Sequence, residues 1–206
     1  MIPSPSAKSR RLLDMAGRKD LYLGKAGQAA VMSEFLVRGY NVAIPEVDIG
    51  HDLFVVYDYD TNEPGEASSF WRIQVKSATA RKIRPPTSFE VQVNIPWKQL
   101  KEPSKTKLFY IFCVRLKEQW SDYIIIERQD LNKLHELNTF GSILKDKKTG
   151  EPKDLHLVIK FHKDEIMCSK TSLQPYRNDW SHWPRVDHSL HGSHRPASLQ
   201  HLTPVE

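Results

Sequence analysis

Cysteine is scarce: Cys113 and Cys168 are the two thiols among 206 residues, and no metal-ligand spacing joins them. A disulfide framework is therefore excluded, and a reducing compartment is expected. No apolar run approaches the roughly 20 residues that a membrane-crossing helix needs. The opening "MIPSPSAKSRR" has no apolar stretch of the kind a secretory leader carries. The expectation is a cytoplasmic protein that makes no membrane contact. Also missing are a phosphate-binding loop, a dinucleotide fingerprint, a nucleophile elbow and any internal repeat, so those chemistries have no carrier here.

What is present suffices for one core. Hydrophobic residues make up 39% of the chain, and the net charge is +5. That excess favours a polyanionic partner and says nothing about fold. Residues 1–20 are polar and basic, with Pro3 and Pro5. They read as a flexible basic arm with a short helix around Leu12 to Met15. In "GKAGQAAVMSEFLVRGY" the spacing of Ala26, Ala29, Ala30, Val31, Met32, Phe35 and Leu36 predicts a helix that Gly39 ends. "NVAIPEV" reads as a short strand closed by Pro45. "DLFVVYDY" and "FWRIQVKSA" flank the turn-rich "DTNEPGEASS", which predicts a hairpin.

Downstream, "TARKIRPPT" reads as a basic loop and "SFEVQVNI" as an alternating strand. "PWKQLK" reads as one helical turn opening on Pro96. The nearly continuous apolar run "KLFYIFCVRL" predicts a central strand, with "DYIIIER" as its hairpin partner. A short helix at "RQDLNKLHELN", a late strand at "DLHLVIKF" and a last turn at "HKDEIMC" complete the order. Residues 169–206 lose all periodicity and read as a tail, disordered or loosely docked. Trp180 and Trp183 in it dock or stand loose. Its His182, His188, His191 and His194 have no cysteine or ordered framework beside them for a structural zinc site. The expected fold is α/β: residues 21–168 form one domain, a mixed β-sheet core flanked by helices.

The chemistry gathers at "FWRIQVKSA". Strand alternation puts Trp71, Ile73 and Val75 on one face and Arg72, Gln74 and Lys76 on the other, with Gln74 and Lys76 about 7 Å apart. Upstream, "PEVDIGHDLFVVYD" places Asp52 at the start of the preceding strand. In a hairpin these ends lie side by side. An acidic residue beside a ligand-x-lysine pair is what metal-assisted phosphodiester cleavage needs: oxygen ligands for Mg²⁺ and a cation for water or phosphate. The Val75 carbonyl is a further candidate oxygen ligand. Asp48 reads as the opener of the "DIGH" turn, His51 as a surface histidine and Glu34 as a solvated helix residue. Arg81, Lys82 and Arg84, with Lys98, Lys101, Lys105 and Lys107 behind them, suggest a phosphate-binding rim.

The run "GKAGQAAVMSEFLVRGYNVAIPEVDIGHDLFVV … WRIQVKSA" resembles the PD-(D/E)xK nuclease superfamily. It is most similar to small bacterial members that carry QxK, some of them intron homing endonucleases. The resemblance spans roughly residues 20–165 and implies a restriction-endonuclease-like core. It also implies a metal-dependent DNA endonuclease with Mg²⁺ as cofactor, Mn²⁺ as substitute and DNA as partner. It makes Asp52, Gln74, Lys76 and Gln28 the catalytic set, with Asp52, Gln74 and the Val75 carbonyl as metal ligands and Arg81, Lys82, Arg84 and Lys98 on DNA. Nucleases of this type often act as dimers, which leaves a homodimer open. Gln28 and Gln74 are amides at positions that are often carboxylates. A second function class therefore stands beside the first: a catalytically degenerate module of this fold that binds nucleic acid or a protein.

Overall fold

The computed structural model describes residues 7–47, 50–57, 69–83, 88–103, 106–137, 140–163 and 165–186. Asp48, Arg84, Lys105, His188, His191 and His194 lie outside these residues, as does the "DTNEPGE" turn. The fold is α/β, as expected.

Helix α1 (Ala7–Val37) is longer than its sequence pattern suggests. The expected flexible arm at 1–20 is helical from Ala7 onward, and the short helix around Leu12 belongs to α1. The physical reason is local: Ala, Leu, Arg, Lys and Met are strong helix formers, and no proline follows Pro5 before the helix ends. Val31 and Phe35 carry the buried stripe, whereas Leu36 is exposed. Gly39 ends the helix as expected. Its φ of 91° lets Gly39 N–H bond Leu36 O (3.0 Å) and Tyr40 N–H bond Phe35 O (3.1 Å), a left-handed turn that a side chain would strain.

The strands form two sheets where a single mixed sheet was expected. The first contains β1 (Asn41–Ala43), β2 (Leu53–Tyr57), β3 (Ser69–Thr79), β6 (Leu108–Leu116) and β7 (Gln119–Glu127), in the order β1-β2-β3-β6-β7. Its β3–β6 pair is parallel and the others antiparallel. The second is antiparallel: β11 (Thr171–Ser172), β10 (Glu165–Cys168), β9 (Pro152–His162), β5 (Ser88–Pro96) and β4 (Arg81–Ile83), with β8 (Ser142–Lys145) also on β9. Helices α2 (Trp97–Lys101) and α3 (Arg128–Glu136) follow β5 and β7.

Strand β6 explains the layering. Phe109, Ile111 and Cys113 pack with Val31 and Phe35 of α1. Leu108, Tyr110, Phe112 and Val114 pack with Val91, Val93, Leu157 and Ile159 of the other sheet. A strand buried on both faces has no polar alternation, which is why its sequence is nearly all apolar. Each such side chain contributes about 1.5–3 kcal/mol, so the two cores meet on this strand.

Three further expectations are corrected. "TARKIRPPT" is not a loop from its start: β3 runs through Thr79, and Arg81–Ile83 pairs with Ser88–Glu90. "HKDEIMC" ends in strand β10, because Ile166 and Cys168 are buried at period two. Beyond residue 169 the described stretch is not a loose tail. It adds β11 and a short 3-10 turn at Gln174–Tyr176. It also buries Trp180 and Trp183 in the α1-side core.

Candidate functional site

Strand β2 stops one residue short of β3's need for a partner, and Asp52 fills the gap. The register pairs Leu53 with Ile73, and Asp52 N–H still reaches Ile73 O at 2.9 Å. Beyond it, among the described residues, no strand pairs with β3 on that side. Val75 N–H, which points there, donates to Asp52 Oδ2 at 2.7 Å. Gln74 Nε2 donates to the same oxygen. The Asp52 side chain therefore stands in for the missing strand and is fixed against the Gln74-Val75 backbone. Of the expected set, Asp52, Gln74 and Val75 meet.

Gln28 joins them from α1, on the opposite face of the sheet. Its Nε2 donates to Asp52 O at 2.7 Å, and its Oε1 accepts from Lys25 Nζ at 2.9 Å. Both ends of this buried amide are occupied. It braces Asp52's backbone through its nitrogen, and its oxygen faces Lys25. Gly27 makes the close approach possible: a Cβ there would sit 2.8 Å from Ser77 Cβ and closer still to its hydroxyl. Gly27→Ala would gain about 1 kcal/mol of helix propensity. We expect overpacking to win, with a net loss of about 1–2 kcal/mol in urea denaturation. A net gain would show that α1 does not seat on Ser77.

Gln74 is also buried. It was expected to offer oxygen to a metal, but its nitrogen faces Asp52. Its Oε1 accepts from Gln99 Nε2 at 2.8 Å. That nitrogen also donates to Gly50 O, and Tyr110 OH donates to Gln99 Oε1 at 3.3 Å. Burial pushes the Tyr110 phenol well above its usual pKa, so it stays a donor. No sequence signal marked Gln99, Gly50 or Tyr110 as part of this site.

Lys76 follows Gln74 on the same strand face by alternation. It makes no hydrogen bond or ion pair among the described residues. His51, expected at the surface, is buried and shares a hydrogen bond with Arg72 between Nε2 and Nη1 at 3.0 Å. Burial first, then the Arg72 guanidinium, hold its pKa below the ordinary histidine value.

The basic residues divide. Arg81 Nε donates to Glu90 at 2.7 Å, and this guanidinium holds the Glu90 carboxyl below its usual range. Arg81 therefore bridges β4 to β5. Lys82 and Lys98 are exposed. Lys101 pairs with Glu136 at 3.0 Å and Lys107 with Glu127 at 3.8 Å. Glu34, expected to be solvated, lies 3.8 Å from Arg38.

Among the described residues no group of three or more His, Cys, Asp or Glu side chains is placed to hold a metal ion. The oxygens that meet here are those of the Asp52 carboxylate, which accepts from Gln74 and Val75 N–H, and the Val75 carbonyl, which lies 3.5 Å from Gln74 Nε2. One carboxylate and one carbonyl fit a hard cation that takes its remaining ligands from water and a substrate phosphate. No described helix is long and apolar enough to cross a membrane.

No protein-family model and no curated protein matches the chain. A solved structure that is similar is that of a bacterial homing endonuclease, I-Ssp6803I. It is 15% identical, with a TM-score of 0.42, over 78% of this chain and 89% of that one.

Proposed function

We propose that this chain is a metal-dependent DNA endonuclease of the PD-(D/E)xK kind that hydrolyses phosphodiester bonds. The observation supporting this is the meeting of Asp52 with Gln74 and Val75 at the start of β2, with Gln74 two residues from Lys76 on β3. Asp52 and the Val75 carbonyl would hold Mg²⁺, or Mn²⁺ in its place. When bound, the ion lowers the pKa of water and offsets charge on the phosphate. Lys76 orients the attacking water or neutralises a phosphate oxygen. Gln74 and Val75 N–H hold the Asp52 carboxylate, and Gln28 holds its backbone. Lys82 and Lys98 supply exposed positive charge for DNA, while Arg81 serves Glu90 first.

A plasmid-nicking assay with Mg²⁺ and Mn²⁺, run beside Lys76→Ala, tests this. Nicking by the wild type that Lys76→Ala loses supports it; equal nicking by both sinks it. In the same preparations DNA affinity should fall steeply with salt. Lys82→Glu combined with Lys98→Glu should reduce the logarithmic salt slope by about one for each phosphate that is no longer neutralised. An unchanged slope would place the DNA rim elsewhere.

The second reading, a degenerate module that binds without cutting, draws on a specific observation. Both amides at the often acidic positions are engaged as donors to Asp52, which leaves one carboxylate for a cation. DNA binding without nicking in either metal would favour it.

A further inference from the structure

The amides around Asp52 form a directed chain, and its direction is not arbitrary. A backbone carbonyl only accepts hydrogen bonds, so Gly50 O requires that Gln99 turn its nitrogen toward it. The same nitrogen donates to Gln74 Oε1 at 2.8 Å. At the far side Gln99 Oε1 accepts from Tyr110 OH. With its oxygen taken, Gln74 can present only nitrogen to Asp52, whose carboxylate accepts. The chain thus has a fixed acceptor at each end, Gly50 O and Asp52 Oδ2. Turning both amides over would set acceptor against acceptor at Gly50 and at Asp52, each costing a part-buried hydrogen bond.

We propose that Gln99 is a positioning residue: anchored on the Gly50 carbonyl, it orients Gln74 as a clamp on the Asp52 carboxylate and keeps it from acting as a metal ligand. This rests on the nuclease reading for its consequence, since the clamp then sets which oxygens a cation meets. The glutamine of the QxK pair holds the ligand and does not supply one. It follows that position 99 is a selector. An obligate acceptor there would draw Gln74's nitrogen to itself and turn Gln74's oxygen toward Asp52, adding a second side-chain oxygen to the cation site.

Two measurements on the full chain without DNA test this. The first is metal-free NMR of the side-chain amides in ¹⁵N-labelled protein. The Gln74 NH₂ pair should shift on Asp52→Asn, and its protection from solvent exchange should fall about five- to tenfold on Gln99→Met, the loss of about one hydrogen bond. The second is Mn²⁺ affinity by electron paramagnetic resonance in a cycle of Gln99→Glu and Gln74→Met. Gln99→Glu should tighten Mn²⁺ about tenfold when Gln74 is present, and about threefold or less in the Gln74→Met background, where added charge alone acts. Equal tightening in both backgrounds overturns the proposal. So does a Gln74 amide indifferent to both Asp52→Asn and Gln99→Met, even if no variant binds Mn²⁺. Thermal melting confirms that each variant is folded. Wild-type protein that never nicks DNA while the cycle holds would defeat the nuclease reading and leave the clamp standing.

Discussion

Asp52→Ala should lower plasmid nicking by about 10²–10³-fold or more, because the ion it holds contributes several kcal/mol to the transition state. The residue has two jobs in the structure. Its carboxylate accepts from Gln74 at the junction of β2 and β3, and it also caps the open edge of β3 by accepting from Val75 N–H at 2.7 Å. Asp52→Asn separates them: it keeps the shape and an acceptor oxygen but not the charge, and we expect nearly the same loss of cutting with less loss of stability. DNA affinity should hold or rise in both variants, since removing a negative charge does not weaken attraction to phosphate. Single-turnover nicking and a DNA titration at fixed salt read the two effects apart. Asp52→Ala protein that cuts at the wild-type rate would assign the activity to a contaminant.

Trp183→Ala should destabilise the protein by about 3–5 kcal/mol, the range for deleting a wholly buried large aromatic. Trp183 is 0% exposed. Its ring meets Phe109 at 4.7 Å and Phe35 at 5.0 Å, both edge-on. Trp180 lies beside it, with the Arg38 guanidinium 4.7 Å from its ring centre. The pair covers the face of α1 that also carries Val31. Urea denaturation of Trp183→Ala against the wild type measures the loss. A change under about 1 kcal/mol would mean that the segment rests on the surface and does not complete the core. Because α1 also carries Gln28, weaker seating of the helix should reach the Asp52 backbone.

The parts of this fold that were legible in the sequence are those with a local signature. "KLFYIFCVRL" announced a strand buried on both faces, and β6 is one. The alternation of Phe70 to Ala78 separated Ile73 and Val75 from Gln74 and Lys76, and Ile73 and Val75 do share the α1-side core. Asp52 beside Gln74 followed from hairpin logic, and the register brings them opposite each other just past the Leu53–Ile73 pair. Contacts made at long range left no such trace. Gln99 is an ordinary polar residue in a five-residue helix, and nothing near it in sequence says that it touches Gly50 and Gln74. The tryptophans after residue 169 lack periodicity because they pack one at a time from a nearly irregular segment, so no sequence pattern marks their burial. His51 reads as a turn residue because its hydrogen-bond partner, Arg72, lies across the hairpin and not along the chain.

The parallel pairing of β3 with β6 bears on how the chain can come apart. Between these two neighbours the backbone leaves for the other sheet, lays down β4 and β5, and returns. β5 in turn waits for β9, which arrives only after β6 and β7 are made. The sheets are threaded through each other in chain order, so neither can be cut out as a contiguous piece with all its strands. Loss of β9 leaves β5 paired only with the three-residue β4 and opens the apolar side of β6. Unfolding should therefore be a single cooperative event in which circular dichroism and tryptophan fluorescence change together, with no half-molecule surviving on its own.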